Sequence, residues 1–227
     1  MTIEFRELRT AAEVAPMPVL EARVWGDVQL VAVNLLVATI SEGGMAIGAF
    51  DGDRLVGSVY GFATQEPHVL HSHYLAVDPD YRRTGLGLQL KHRQREWCVA
   101  NGRSAMRWTF DPLQLGNAHL NLRSLPGVGV QYHANLYGAM GGINGALPSD
   151  RLLIDWQLDR LHSHERPIGD DATIVDVPEV TSDDIATASP AAHDARLRLR
   201  DALEPLIRSG WLVTDVDRVA RTYTLTR

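Results

Sequence analysis

Two histidines stand two residues apart in His71-Ser72-His73, and a few residues later the chain reads Arg82-Arg83-Thr84-Gly85-Leu86-Gly87. An imidazole with a pKa near 6.5 exchanges protons at neutral pH, so a histidine is a natural acceptor for a proton leaving a substrate. On a strand, residues i and i+2 project to the same face, which brings the His71 and His73 rings together. The second run is suited to an anion. A glycine-rich turn opening onto a helix presents main-chain amides that lack internal partners, at the positive end of the helix dipole, where phosphate binds. Glycine lets the backbone approach such a ligand closely, and Arg82 and Arg83 add charged donors. His68 with His71 and His73 also has the makings of a metal site, but no carboxylate or cysteine in the strand completes the set, so no metal is expected. A dinucleotide fingerprint is ruled against by Leu90, which stands where the third glycine belongs, and a P-loop by the missing Gly-Lys-Ser/Thr.

These residues need a strand, a turn and a helix in succession. Val69–Val77 reads as the strand, stopped by Asp78-Pro79, and an amphipathic helix runs from Gly87 to about Ala100, closed by Asn101-Gly102. Upstream, Ile3–Leu8 reads as a strand. Two helical stretches follow within 11–40, one carrying Val14, Met17, Leu20 and Val24, the other spanning Val28–Ile40, with Gly26-Asp27 as the break between them. Met45–Phe50 and Leu55–Ala63 form a hairpin about Asp51-Gly52-Asp53. Downstream come a strand at Ala105–Phe110, a short helix at Asn117–Leu125, and strands at Val128–Tyr137 and Arg151–Leu158. The order implies an α/β (α+β) domain with a mixed, mostly antiparallel sheet flanked by helices. Residues 159–172 read as an acidic linker, and 173–227 as a small α/β C-terminal extension with a helix at Ala192–Ser209 and strands near Trp211–Val213 and Tyr223–Leu225. So small a piece would be marginal alone, and is expected to pack on the main domain, residues 1–158, or to form a homodimer.

Arg82-x-x-Gly85-x-Gly87, after a Leu-Ala-Val-Asp-Pro strand end, resembles the pyrophosphate loop of the GNAT acyltransferase superfamily. The element order over residues 3–158 is similar to that fold as well. The strings Trp108–Leu113, Asn117–Leu122 and Gly145–Arg151 resemble a little-characterised bacterial subgroup with a C-terminal extension, some relatives of which are linked to N-succinylation of amino acids. The resemblance implies an N-acyltransferase that uses acetyl-CoA, or another short acyl-CoA such as succinyl-CoA, to acylate a small-molecule amine, with amino acids among the candidates. It implies that the backbone of Leu75, Ala76 and Val77 holds the pantetheine arm, that the amides of Arg83, Thr84, Gly85, Leu86 and Gly87 take the pyrophosphate with Arg82 or Arg83 beside it, and that Asn117 contacts the cofactor arm. Asparagine is also a common helix N-cap, and the two roles are compatible.

The reaction is attack of an amine on a thioester. A primary alkylammonium has a pKa near 10 and must lose its proton first. His71-x-His73-x-Leu75-Ala76-Val77 resembles the His-x-His-x-Leu-Ala-Val of the serotonin N-acetyltransferases, in which paired histidines line the acceptor side, so His73 and then His71 are the expected proton acceptors. The developing oxyanion is expected to meet a main-chain N–H near Leu75. The family often protonates the leaving thiolate with a tyrosine on the helix after the fifth strand. Asn117–Leu125 contains none, and Tyr137 is the substitute, with Tyr132 behind it. Trp25, Gly26 and the glycine-rich stretch Gly138–Arg151 would frame the acceptor, with Arg107 and Arg151 available to a carboxylate. Strand histidines and buried tyrosines also serve as packing. A non-catalytic CoA-binding module and a protein N-acetyltransferase are the competing functions.

Composition bounds these readings. The 227 residues are 45% apolar and 22% charged, as in a soluble globular protein. Cys98 alone excludes an internal disulfide and a cysteine-rich zinc site, and fits a reducing compartment. Neither an export signal nor an apolar run long enough to span a membrane is visible, so a cytoplasmic location without membrane association is expected. The net charge of −6 resides in residues 159–184, leaving twenty charges of each sign elsewhere, unlike a nucleic-acid binder. Lys91 is the only lysine among 22 basic residues, which reads as codon usage.

Overall fold

The computed structural model describes residues 2–26, 31–138, 140, 147–162 and 169–227. The chain forms two compact units, residues 1–107 and 108–227, divided within one strand rather than at the acidic stretch 159–172.

In the first unit, strands Ile3–Glu7 (β1), Met45–Asp51 (β2), Arg54–Ala63 (β3) and Val69–Val77 (β4) pair antiparallel in sequence order. The start of Ala105–Phe110 (β5) then joins β4 in parallel. The first helical stretch is broken into Ala11–Val14 (α1) and Pro16–Trp25 (α2). Pro16 explains the break, since its ring fits the first turn of a helix and not an interior. Thr10 and Glu13 form a capping box that starts α1. The second stretch is Val33–Ser41 (α3); its expected beginning at Val28, with the Asp27 break, lies outside the described residues. Val14, Met17, Leu20, Val24 and Leu36 from these helices bury against Phe50, Leu55, Tyr60 and Ala76, covering one face of the sheet. Helix Leu86–Ala100 (α4) packs against β2, β3 and β4 through Leu86, Leu90, Lys91, Gln94 and Cys98. Leu86, Leu90, Gln94 and Cys98 follow one another at four-residue steps, and Lys91 lies three residues before Gln94 and seven before Cys98, which places them on one helical stripe.

The second unit carries strands in the order β5, Arg151–Gln157 (β7), Val128–His133 (β6), Leu212–Asp217 (β9), Thr222–Thr226 (β10) and Ala172–Asp176 (β8). The C-terminal residues therefore continue the sheet of β6 and β7: β9 pairs with β6, and β10 with both β9 and β8, all antiparallel. Leu115–His119 (α5) runs on into a π-helical turn, Leu120–Ser124. Ser182–Thr187 (α6) adds a helix absent from the sequence reading, and Pro190–Arg208 (α7) packs on β6 and β8. β6 ends at His133, short of Tyr137, because residues 134–137 turn away. Among the described residues no helix is long and apolar enough to cross a membrane.

Buried charge anchors α7. Arg196, 2% exposed, donates to both Asp111 oxygens at 2.5 and 2.7 Å, and Arg200 to both Asp150 oxygens at 2.8 and 2.6 Å. Removing one partner of such a pair strands the other charge, so Arg196→Ala should cost about 3–5 kcal/mol of stability. Combining Arg196→Met with Asp111→Leu should recover most of that loss, as read by denaturant unfolding of the full chain.

Candidate active site

The site begins with an irregularity in β4. Val59 faces Leu75 and Tyr60 faces Tyr74, but the next residue of β3, Gly61, faces Ser72, so His73 is an extra residue without a partner on β3. Such a bulge resets the alternation of side chains. His71, His73 and Tyr74 all present rings to the α2 side of the sheet, against Phe62 and Tyr60 of β3. The His71 and His73 ring centroids are 6.0 Å apart, His71 stacks on Phe62 at 4.7 Å, and Trp25 meets Tyr74 edge-on at 5.6 Å. Gly61 makes the bulge sterically feasible, since a Cβ there would lie 2.8 Å from the His71 carbonyl oxygen.

This setting keeps both imidazoles neutral. Burial, then the neighbouring His73 and Lys91, lowers the His71 pKa to about 4, and burial lowers that of His73. Beneath them, the Glu21 carboxyl, the Tyr74 hydroxyl and the Ser58 hydroxyl are buried together. Burial raises the Glu21 carboxyl above the ordinary range, offset in part by the Tyr74 hydroxyl and the Val31 amide.

Beyond the bulge the strand edge is open. β4 pairs with β5 only from Val69 to His71, so within the first unit the edge of residues 72–77 on that side carries no ladder partner. Leu75 and Val77 turn towards α4. The chain then makes a short 3-10 turn at Pro79–Tyr81, capped by the buried Asp78 carboxylate. Burial alone would raise the Asp78 pKa; the Asp80 amide and the guanidinium groups of Arg54 and Arg23 outweigh it and hold the group low. Those two arginines also line an open cleft of about 300 Å³ between α2 and the start of β3.

Arg83 and Gly85 both adopt positive φ, 63° and 85°, and Gly85 opens α4 with no side chain capping it. The first amides of α4 thus have neither an intrahelical acceptor nor a capping side chain. Arg82 and Arg83 are exposed, and among the described residues neither pairs with a carboxylate. The two glycines differ. Gly85 is demanded by its backbone, whereas a Cβ on Gly87 would make only ordinary contacts with Leu75 and Val77, at 3.5 and 3.6 Å.

Asn117 and Tyr137 belong to the second unit. Asn117 is exposed in the first turn of α5, whose N-cap is Gln114, so the expected capping role falls away. Tyr137 is 47% exposed in the turn after β6, not on the strand, with its hydroxyl 3.2 Å from Thr109 Oγ1. Tyr132 is buried and donates to Asp150 at 2.6 Å, a packing arrangement. Arg107 is bonded to Glu66 at 2.5 Å, and Arg151 is buried with its guanidinium on the Asp150 carbonyl at 2.9 Å. Residues 139 and 141–146 of the expected acceptor loop lie outside the described residues. Among the described residues no three His, Cys, Asp or Glu side chains are grouped to hold a metal, and His68 lies near Glu66 at 3.8 Å. Sequence reasoning passed over Glu21, Ser72 and Lys91. The α4 stripe of Leu86, Leu90, Gln94 and Cys98 was the signal that would have placed Lys91 inside.

From these geometries, Gly85→Ala should lower stability by about 1–2 kcal/mol because an L side chain is strained at that φ, while Gly87→Ala should be near neutral, both measured by denaturant unfolding. His71 should stay neutral down to about pH 4 in a histidine NMR titration. Its pKa is lower folded than unfolded, so its contribution to stability is complete above pH 6.5 and lost as pH falls towards 4.

Residues 13–120 match the family model described as Acetyltransferase (GNAT) family. Among solved structures, the ribosomal-protein-S18-alanine N-acetyltransferase from Escherichia coli aligns at 14% identity over 73% of this chain and 100% of its own, with a TM-score of 0.58. A GNAT-family acetyltransferase from Streptococcus pneumoniae aligns at 17% identity over 69% and 99% (TM-score 0.57), and the acetyltransferase yncA from Salmonella typhimurium, solved with its cofactor acetyl-CoA, at 15% over 74% and 98% (TM-score 0.56). Identities this low speak for the fold. No curated protein sequence matches the chain. The family match spans β4, its bulge, the turn and α4, so residues 13–120 match a GNAT acetyltransferase domain, which supports an N-acetyltransferase enzyme of the class whose co-substrate is acetyl-CoA.

Proposed function

We propose that this enzyme transfers an acetyl group, or a short relative such as succinyl, from its CoA thioester to the primary amine of a small molecule by direct attack. The observation that carries the reading is the open edge of β4, which runs from the bulge at His73 into the uncapped start of α4. Leu75, Ala76 and Val77 offer main-chain groups to the pantetheine arm as a neighbouring strand would. The amides from Arg83 to Gly87, with the side chains of Arg82 and Arg83, suit the pyrophosphate. The absence of any packing demand for glycine at 87 fits a place kept bare for a ligand. The thioester supplies an activated acyl carbon and a thiolate leaving group.

His73, exposed beside the neutral His71, takes the proton from the acceptor ammonium in this reading, directly or through water. The Leu75 N–H serves the developing oxyanion. Asn117 is assigned to the cofactor arm, and Tyr137, a half-exposed phenol, to the leaving sulfur. Arg107 and Arg151 are already engaged by Glu66 and by the Asp150 carbonyl, which favours a simple amine over an acceptor gripped by its carboxylate.

Mixing the protein with acetyl-CoA or succinyl-CoA and a panel of amines should release free thiol. His73→Ala should lower kcat at least about a hundredfold, and Gly87→Val should weaken acetyl-CoA binding in calorimetry while leaving the fold intact. Because both histidines titrate below 6.5, the acid limb of kcat/KM should lie below that pH, and the rate should climb above it as the amine deprotonates. Thiol release unchanged in His73→Ala would remove histidine from the mechanism; no affinity for any acyl-CoA would remove the reading itself.

A further inference from the structure

On the face of β4 opposite the histidines lies a closed polar triangle that the proposed chemistry does not use. Lys91 Nζ donates to Ser72 Oγ at 2.9 Å and to Gln94 Oε1 at 3.3 Å, and Ser72 Oγ donates to Gln94 Oε1 at 2.8 Å. All three are sealed, with exposures of 3%, 3% and 0% for Lys91, Ser72 and Gln94. Gln94 reaches this position over Gly61, where a Cβ would stand 3.1 Å from its amide nitrogen, and that amide also contacts the Met45 sulfur at 3.4 Å. Ser72 is the residue immediately before the bulge. It faces Gly61, and it is the only residue between 71 and 74 whose side chain turns to α4. The triangle therefore grips the strand at the point where its register slips.

Burying an amine is costly, and an apolar side chain of similar volume fills a core more cheaply. Here burial lowers the Lys91 pKa to about 7, and the chain's single lysine occupies the place. We propose that Lys91 is a positioning residue for the histidine pair: acting through Ser72 from the far face of β4, its amine holds the bulge that turns His73 and Tyr74 onto the same side as His71. This rests on the acyl-transfer reading only for the purpose of the pair, not for the grip itself.

The amine has an electrostatic effect as well. His71 is faced by His73 on its own strand, by Phe62 from β3 and in register by Arg107 of β5, itself bonded to Glu66 of the β3–β4 turn, and it feels the Lys91 charge through the sheet from α4. Lys91 is faced by Gln94 and Cys98 of its own helix and by Ser72 of β4. The Cys98 thiol, pushed up to about 12 by burial, adds no charge at neutral pH. Of the groups around His71, the Lys91 ammonium is a cation that can be deleted without touching the acceptor face.

The test compares Lys91→Met and Ser72→Ala in the full chain by histidine NMR titration and amide hydrogen exchange, neither of which needs turnover. Lys91→Met should fold with equal or higher Tm. Its His71 midpoint should move up from about 4, and amides 72–74 should lose at least about tenfold in protection, equivalent to about 1.4 kcal/mol. Ser72→Ala should lose the same protection while the His71 midpoint stays low, because the amine remains. Where thiol release is observed, Lys91→Met should lower kcat about tenfold to a hundredfold with little change in the KM for acetyl-CoA. Unchanged protection of 72–74 in either variant overturns the proposal, and if Lys91→Met does not fold, Ser72→Ala decides it alone. Loss of the grip in a protein that transfers no acyl group would count against the proposed function and leave this inference standing.

Discussion

Everything in the first unit follows from one breach of β-sheet regularity. A strand that keeps register with its neighbour alternates its side chains strictly and leaves no backbone group unspoken for. β4 contains one residue too many, so the rule is broken at His73. Three rings then share a face, and beyond His71 the far edge loses its partner within the unit. Unpaired strand amides and carbonyls are expensive to leave dry, which makes this edge a natural seat for a chain of alternating amide groups. The bulge lies in the ladder with β3 and the open edge on the side of β5, so the two sit back to back along the same residues of β4.

The electrostatics are consistent with that geometry. A base that must work beside a cationic substrate is more useful neutral, and the aromatic packing of Phe62, Tyr60 and Tyr74 around the imidazoles disfavours their charged forms. At the other end of the strand the requirement reverses. Arg82 and Arg83 stay exposed next to the uncapped start of α4, so positive potential gathers there. One short stretch of chain thus runs from an aromatic-lined, neutral environment to a wet, cationic one.

Much of this was legible in the residues, for reasons that differ by element. The hairpin of β2 and β3, the strand β4 and the helix α4 announce themselves through alternation, Asp-Gly turns and a glycine-capped end. Gly85 was readable because a single position demanded positive φ. The bulge was not, since pairing register depends on a partner strand, and nothing in His71-Ser72-His73-Tyr74 marks which residue will be the extra one. The burial of Lys91 is legible only from its place on the apolar stripe of α4, not from its rarity in the composition. Tyr137 was assigned to a strand by its apolar neighbours, whereas the chain turns at residues 134–137 and Asn135 takes a positive φ of 49°. The helix α6 was missed although Thr181 and Asp184 carry a capping box.

The ion pair between Asp111 and Arg196 joins positions 85 apart in sequence. The strands of the first unit are near neighbours along the chain and can assemble as they leave the ribosome, but the second unit must hold an aspartate in waiting until α7 has been synthesised. Any nascent chain that pauses before Arg196 therefore leaves Asp111 with only Arg151, 3.9 Å away in the finished fold, to balance its carboxylate. Quality control inside the cell would have that interval in which to act on the C-terminal half while the N-terminal half is already closed.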